Sequence, residues 1–315
     1  MRKIHIITNP LSGKNRKHPT RFDQMLSVAE SKCDEDTKLT VHKPRSLEAL
    51  LTVVESIHAD KADILCMHGG DGTVHQTFTA LWKIYGDHTP YPTVAILKGG
   101  TMNNIARNIG VGFWSTARSL LNAIATNAPL QISTHHPLVI DETQSGFIYG
   151  NVALGPFLEE YYIGSPPSPS KGFRMFCKIV VSSIFNTSYS KRILAPVSMR
   201  VFIDGTELDQ TEFTLFGISM VADVGFYCRP FYKTLKDHSS FQIIATTCRP
   251  VNIVKVVPHF WFAKPTKKPY IVDMTGTEIR FEYNTPQMST IDGDVYPPKS
   301  HETIRVGPPV RFVHL

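Results

Sequence analysis

The chain lacks the marks of several function classes. No stretch of its 315 residues approaches the roughly 18 to 20 apolar positions of a membrane-spanning helix. The first apolar run, Ile4 to Ile7, meets Asn9-Pro10 before it is long enough for a signal peptide. Only five cysteines occur (Cys33, Cys66, Cys177, Cys228, Cys248), with no CxxC pair. That argues against a disulfide framework or a zinc site and for free thiols in a reducing compartment, buried at Cys66 and Cys177. His135-His136 reads as a loop pair. No helix-turn-helix signature and no RNA-binding aromatic motif is present, so no nucleic-acid partner is expected. The GxxxxGK[ST] spacing of a Walker loop is missing too. Acid is absent from the start: between Arg2 and Arg21 there are six Lys or Arg and no Asp or Glu. These absences describe a cytoplasmic protein, soluble or peripheral to a membrane.

What is present is ordinary in bulk and particular in detail. A hydrophobic share of 42% and a charged share of 19% allow one large domain or two. The net charge of +6 suits phosphorylated small molecules or an anionic membrane. A basic surface with no partner would account for it equally.

The chain is organised around Cys66-Met67-His68-Gly69-Gly70-Asp71-Gly72-Thr73-Val74-His75. The apolar run Ala62 to Met67 predicts a buried strand, and Phe78, Leu81, Trp82 and Tyr85 recur at helical spacing over Val74 to Tyr85. Strand, glycine turn and helix in that order offer a phosphate close backbone approach and unpaired N–H groups. Asp71 beside phosphates would hold Mg²⁺ or take a proton. A tight turn with Asp71 as N-cap is the plainer alternative.

The same logic appears twice more. Lys3 to Thr8 predicts a strand that ends at Asn9-Pro10-Leu11-Ser12-Gly13-Lys14. Thr93 to Leu97 predicts another, ending at Lys98-Gly99-Gly100-Thr101-Met102-Asn103-Asn104. Between them, Thr20 to Ser31 and Ser46 to His58 read as helices and Leu39 to His42 as a strand; Trp114 to Ala125 follows as a helix. Three strand, loop and helix units predict an open, mainly parallel α/β sheet with its ligand across the carboxyl ends of the strands.

Beyond about residue 132 the pattern changes to short runs rich in β-branched and aromatic residues. They are Leu138 to Asp141, Gly146 to Ala153, Val197 to Ile203, Glu212 to Ala222, Phe241 to Thr247, Thr277 to Tyr283 and Thr303 to Val313. Turns such as Asp204-Gly205 and Asp292-Gly293 separate them. The expectation is residues 1–132 as an α/β domain and 133–315 as a mostly antiparallel β-sandwich, with the last residues free to pack back on the first domain. Ser165 to Ser170 reads as a loop. Arg174 to Phe185 reads as an apolar helix, either core or the wall of a greasy pocket. His259-Phe260-Trp261-Phe262 followed by Lys264, Lys267 and Lys268 mixes aromatics and cations as a membrane-surface patch or a solvated loop would.

Taken together, NPLSG at Asn9 to Gly13, GGDGT at Gly69 to Thr73 and GGTMNNIAR at Gly99 to Arg107 resemble the diacylglycerol kinase catalytic family, which includes soluble bacterial lipid kinases and sphingosine kinases. Ile291-Asp292-Gly293-Asp294 looks like its late DGE motif, and IRVGPPVRFV, Ile304 to Val313, resembles its closing strands. The resemblance implies a first domain of the NAD-kinase and phosphofructokinase type and a β-rich lipid domain, with ATP in a cleft. It implies transfer of the γ-phosphate of ATP to a lipid hydroxyl, diacylglycerol first among candidates, with Mg²⁺. By position, Asn9, Ser12, Gly13, Gly69, Gly70, Asp71, Gly72, Thr73, Val74, His75, Gly100, Thr101 and Asn103 would bind ATP. Asp71 and Asp294 would be the catalytic acids, and Asp71 and Asp292 the metal ligands. The implied partner is lipid at a membrane surface; a homodimer is left open. Four departures stand out: Asp294 where the family has Glu, Asn104 where it has Asp, Gln76 where an acid is usual, and the acid-poor Lys236 to Ser240 where bacterial members hold a second, structural Mg²⁺. A weak or inactive lipid- or nucleotide-binding protein of the same fold, a kinase of a sphingoid base or another lipid, and a kinase of a soluble metabolite are the readings that compete.

Overall fold

The computed structural model describes residues 1–12, 15–16, 18, 20–100, 102–112, 116–164, 168–225, 227–265 and 268–315. Gly13 and Thr101, the start of the helix expected from Trp114, residues 165–167 of the expected Ser165 to Ser170 loop and Lys267 therefore lie outside the described residues. The chain divides into two units. The first takes Met1–Pro137, Thr143–Ser145 and Gly307–Leu315, and the second Leu138–Glu142 and Gly146–Val306.

In the first unit the apolar runs become β1 (Arg2–Thr8), β2 (Thr37–His42), β3 (Ile64–Gly69), β4 (Thr93–Lys98) and β5 (Gln131–His135). Their order is β2-β1-β3-β4, then the closing strand Val310–His314, then β5 at the edge. All pair in parallel except β5, which runs antiparallel to Val310–His314. Ile4, Ile6, Cys66, Ala95 and Leu97 bury one sheet face against Phe22, Met25, Leu121 and Ile124. Each such fully buried large side chain contributes roughly 1.5–3 kcal/mol, so this face fixes the sheet's register. The chain leaves β1 for β2 on one side and returns to β3 on the other. The crevice outside the β1 and β3 carboxyl ends is thus a topological switch point.

Two boundaries differ from the sequence expectation. The division falls at Pro137, because His135 ends β5 and its ring meets Phe312 at 5.8 Å rather than lying in a loop. The strand expected over Thr303 to Val313 is two strands, Asp294–Val306 and Val310–His314, in different units. Pro308 and Pro309 between them have no N–H to donate to a ladder, so the chain turns there.

The second unit is antiparallel throughout. Its long strand Glu278–Ile291 pairs with Val197–Ile203 through its first half and with Ile148–Val152 through its last residues. Register shifts between Glu282 and Ser289 bend the strand, which lets one segment serve two parts of the sheet. The helices Leu154–Tyr162, Pro169–Ile184, Ser188–Ile193, Pro250–Ile253 and Val257–Trp261 accompany this sheet. Ser168 caps the second of them by accepting from Lys171 N, with Pro169 in the first turn.

Candidate active site

β1, β3 and β4 are neighbours, so the three loops that follow them emerge side by side. The glycines of these loops serve each other before they serve any ligand. A Cβ on Gly100 would lie 2.2 Å from Gly70 Cα, and one on Gly99 would lie 3.1 Å from Gly69 N. Gly99 N–H also donates to Gly69 O at 2.9 Å. The ends of β3 and β4 thus meet backbone to backbone, closer than any side chain permits. Gly69 is constrained twice over, because Thr73 Oγ1 would lie 2.3 Å from its Cβ.

The helix Asp71–Tyr85 starts directly on this contact. Gly70 is its N-cap in extended geometry, and Thr73 N and Val74 N donate to Gly70 O. Asp71 is the first helical residue, not the cap. Its Oδ1 accepts from Ile105 N at 3.0 Å, which stabilises the start of the short helix Asn104–Asn108 in the third loop. Asn103, in the left-handed region at φ 49°, brackets Gly100: its Oδ1 accepts from Gly100 N and its Nδ2 donates to Gly100 O, both at 2.9 Å. Asn104 is buried, with its Oδ1 accepting from Arg107, so the amide standing in the family's Asp position has a structural partner.

The first loop is tied to the other two. Asn9 Nδ2 donates to Thr73 Oγ1 at 3.1 Å, and Ser12 Oγ donates to Gly99 O at 3.3 Å. Asn15, which the sequence reading passed over, donates from Nδ2 to Asn9 O at 2.8 Å. His68 beneath them shares a hydrogen bond with Thr8 Oγ1 at 2.9 Å and stacks on Phe22 at 4.7 Å. Burial, with a smaller contribution from Arg21, holds the His68 imidazole down at about 4.

Asn9, Ser12, Gly69, Gly70, Asp71, Gly72, Thr73, Gly100 and Asn103 therefore lie on three loops that are joined to one another. Val74 and His75 do not belong with them as side chains. They are 1% and 0% exposed, turned into the core by the helical period, and could serve a ligand only through their backbone.

In the second unit, Asp292-Gly293 forms a hairpin turn with both residues at positive φ, 51° and 98°. Ile291 and Asp294 pair across it. The Asp292 carboxylate is engaged by backbone: Oδ1 accepts from Phe147 N at 3.0 Å and Ile148 N at 2.9 Å, and Oδ2 accepts from Phe147 N at 3.1 Å. Both oxygens thereby hold the start of the strand Ile148–Val152, so the residue expected as a metal ligand has a structural role of its own. Asp294 is half-buried at the start of its strand. Tyr162 lies beside it, donating to Gly293 O at 3.0 Å. Burial first and the Asp294 charge second raise the Tyr162 phenol above its usual value. No spacing in the sequence pointed to Tyr162.

Mg²⁺ bound with a nucleotide needs one or two carboxylates besides phosphate and water, and Asp71, on the loop after β3, is a donor of the right chemical type. Among the described residues no group of three His, Cys, Asp or Glu could form an all-protein cage. Asp237, the acid of the Lys236 to Ser240 stretch, accepts from Ser239 N and from the Ser239 and Ser240 hydroxyls, which pull it to about 2. It closes a turn.

Comparison with known proteins agrees with this geometry. The family model of the diacylglycerol kinase catalytic domain matches residues 3–135. A diacylglycerol kinase structure from Bacillus anthracis is similar over 99% of this chain and 97% of its own, with a TM-score of 0.66 at 15% identity. A structure described as a candidate diacylglycerol kinase from the same organism gives a TM-score of 0.70 at 16% identity over the same shares. Identities this low speak for the fold alone. No curated protein matches.

Proposed function

We propose that this chain, which carries a diacylglycerol kinase catalytic domain over residues 3–135, transfers the γ-phosphate of ATP to a lipid hydroxyl, with diacylglycerol the first candidate acceptor. The observation that carries this reading is the joining of three loops at a switch point, through Asn9 to Thr73, Ser12 to Gly99 and Gly70 to Gly100. Phosphoryl transfer asks mostly for positioning and charge stabilisation, which a fixed glycine surface at a helix N-terminus supplies.

In this reading the phosphates lie against Gly70, Gly72 and Gly100, with Asn9 and Ser12 at the border. Mg²⁺ supplies charge neutralisation on the phosphates. Asp71 holds the third loop through its bond to Ile105 N, and its carboxylate would be a ligand of Mg²⁺. The second unit contributes Asp294, which accepts the proton as the acceptor's O–H bond breaks, the new O–P bond forms and ADP leaves. Asp294 is one methylene shorter than the family's Glu. Peripheral contact with a lipid surface is part of the proposal; among the described residues no helix is long and apolar enough to cross a membrane.

A second reading, a binder without transfer, draws support from the engagement of Asp71 and Asp292 by backbone N–H groups. Asp294→Asn separates the two. A kinase loses turnover by orders of magnitude and keeps Mg·ATP affinity, whereas a binder has no turnover to lose.

A further inference from the structure

The chain's positive charge is concentrated in two stretches that the reaction does not use. Residues 161–203 and 238–272 contain eleven Lys or Arg and no Asp or Glu. The whole chain is +6, so the remainder is −5. The two stretches come together in the second unit: Pro250–Ile253 packs on the helix Pro169–Ile184, and Trp261 meets Phe176 at 5.7 Å. Of the acids that flank them (Glu160, Asp204, Asp237 and Asp273), Glu160 accepts from Lys178 and Arg192. Arg174, Lys191, Lys255 and Lys264 are exposed and form no ion pair with a described acid.

The helix Pro169–Ile184 is apolar on two faces. Its inner face places Met175 and Ser183 in the interior and Ile179 on the cluster of Ala153, Ile193 and Leu194. Its outer face carries Cys177, Val180, Val181 and Ile184 at helical spacing, with Val181 52% and Ile184 51% exposed. Phe185 follows at 74%, and on the elements packed against the helix Val251 is 44% and Phe262 69% exposed. The inner face accounts for one apolar stripe, and the second, left exposed beside Arg174 and Lys178, calls for a cover.

We infer that this helical layer docks on an anionic lipid surface, with Val181, Ile184 and Phe185 entering the headgroup boundary and Arg174, Lys191, Lys255 and Lys264 meeting the lipid charge. An apolar stripe between lysines and arginines is the composition of a helix lying in a membrane interface. A second copy is disfavoured as the cover, since pairing two such faces would bring two sets of unneutralised cations together. The inference rests on the lipid-kinase reading for its purpose: the docked layer brings the enzyme to the bilayer that contains its acceptor.

The test is flotation of the full chain with vesicles of phosphatidylcholine alone and of phosphatidylcholine mixed with phosphatidylglycerol, without ATP or acceptor lipid. The expected result is binding to the anionic vesicles about tenfold or more tighter than to the neutral ones, weakened by salt. Val181→Asp with Ile184→Asp, and separately Arg174→Gln with Lys191→Gln, should each lower that binding about tenfold while thermal melting and Mg·ATP affinity stay at wild-type levels. Equal binding to both vesicle types, no binding, or variants that bind like wild type would overturn the inference. So would a wild-type dimer that Ile184→Asp converts to a monomer. The two readings fail separately: transfer to detergent-dispersed diacylglycerol without vesicle binding removes the docking face, and vesicle binding without transfer removes the kinase.

Discussion

Asp71 Oδ1 lies 3.0 Å from Ile105 N, so one carboxylate at the start of the helix after β3 caps the short helix of the loop after β4. The acid of the glycine motif thereby joins two loops, whatever else it does to a phosphate. Asp71→Ala removes the acceptor and should cost about 1–3 kcal/mol in urea denaturation, the cost of leaving an N–H unsatisfied. Asp71→Asn keeps an oxygen there and should lose less than half as much. If the two variants unfold alike, the bond to Ile105 does not matter.

Gly100→Ala tests whether the loops must touch. Its Cβ would stand 2.2 Å from Gly70 Cα, with backbone and no flexible side chain to give way. We expect a stability loss of roughly 1–3 kcal/mol from the forced shift. Mg·ATP affinity measured by calorimetry should fall about tenfold or more, a small displacement being enough to spoil positioning. Unchanged affinity would remove the glycine contact from the binding surface.

His68 sets a pH dependence. Its folded value, about 4, lies below the unfolded value near ~6.5, so the folded state keeps it neutral where the unfolded state takes up a proton. The stability contribution is present above about 6.5 and is lost as pH falls towards about 4, on the order of 3 kcal/mol in full. Denaturation of wild type and His68→Gln across that window should show a shallower slope for the variant. Parallel slopes would mean that His68 is not held neutral.

Asp292 separates a structural acid from a metal ligand. Its carboxylate accepts from Phe147 N and Ile148 N, and its φ of 51° suits Asp or Asn better than Ala. Asp292→Asn should stay folded with its Mg²⁺ requirement unmoved, and Asp292→Ala should lose about 2–4 kcal/mol. A rise in the Mg²⁺ needed for half-maximal transfer in Asp292→Asn would show a metal role.

Much of this was legible in the sequence because it depended on local order. β1, β3 and β4 announced themselves as apolar runs stopped by glycine or Asn-Pro, and the Asp292-Gly293 turn by its residue types. What stayed hidden depended on distant partners. Nothing local shows that Gly70 and Gly100 exclude side chains for each other's sake, or that Asp292 reaches Phe147. No helix is expected from the sequence over Leu154–Tyr162, where Gly155 and Pro156 stand in the first turn and proline forfeits no hydrogen bond. The run Glu212 to Ala222 was read as one strand, but it divides into Glu212–Phe213 and Leu215–Ser219, which pair with different neighbours.

The measurement that tests the account most directly is transfer of labelled γ-phosphate from Mg·ATP to dispersed diacylglycerol, monoacylglycerol, sphingosine, ceramide and phosphatidylglycerol, with Asp294→Asn alongside. The account predicts one labelled lipid, diacylglycerol first among them, whose label falls by orders of magnitude in the variant while Mg·ATP still binds. Silence on every lipid with Mg·ATP binding intact, or equal label in the variant, would contradict it.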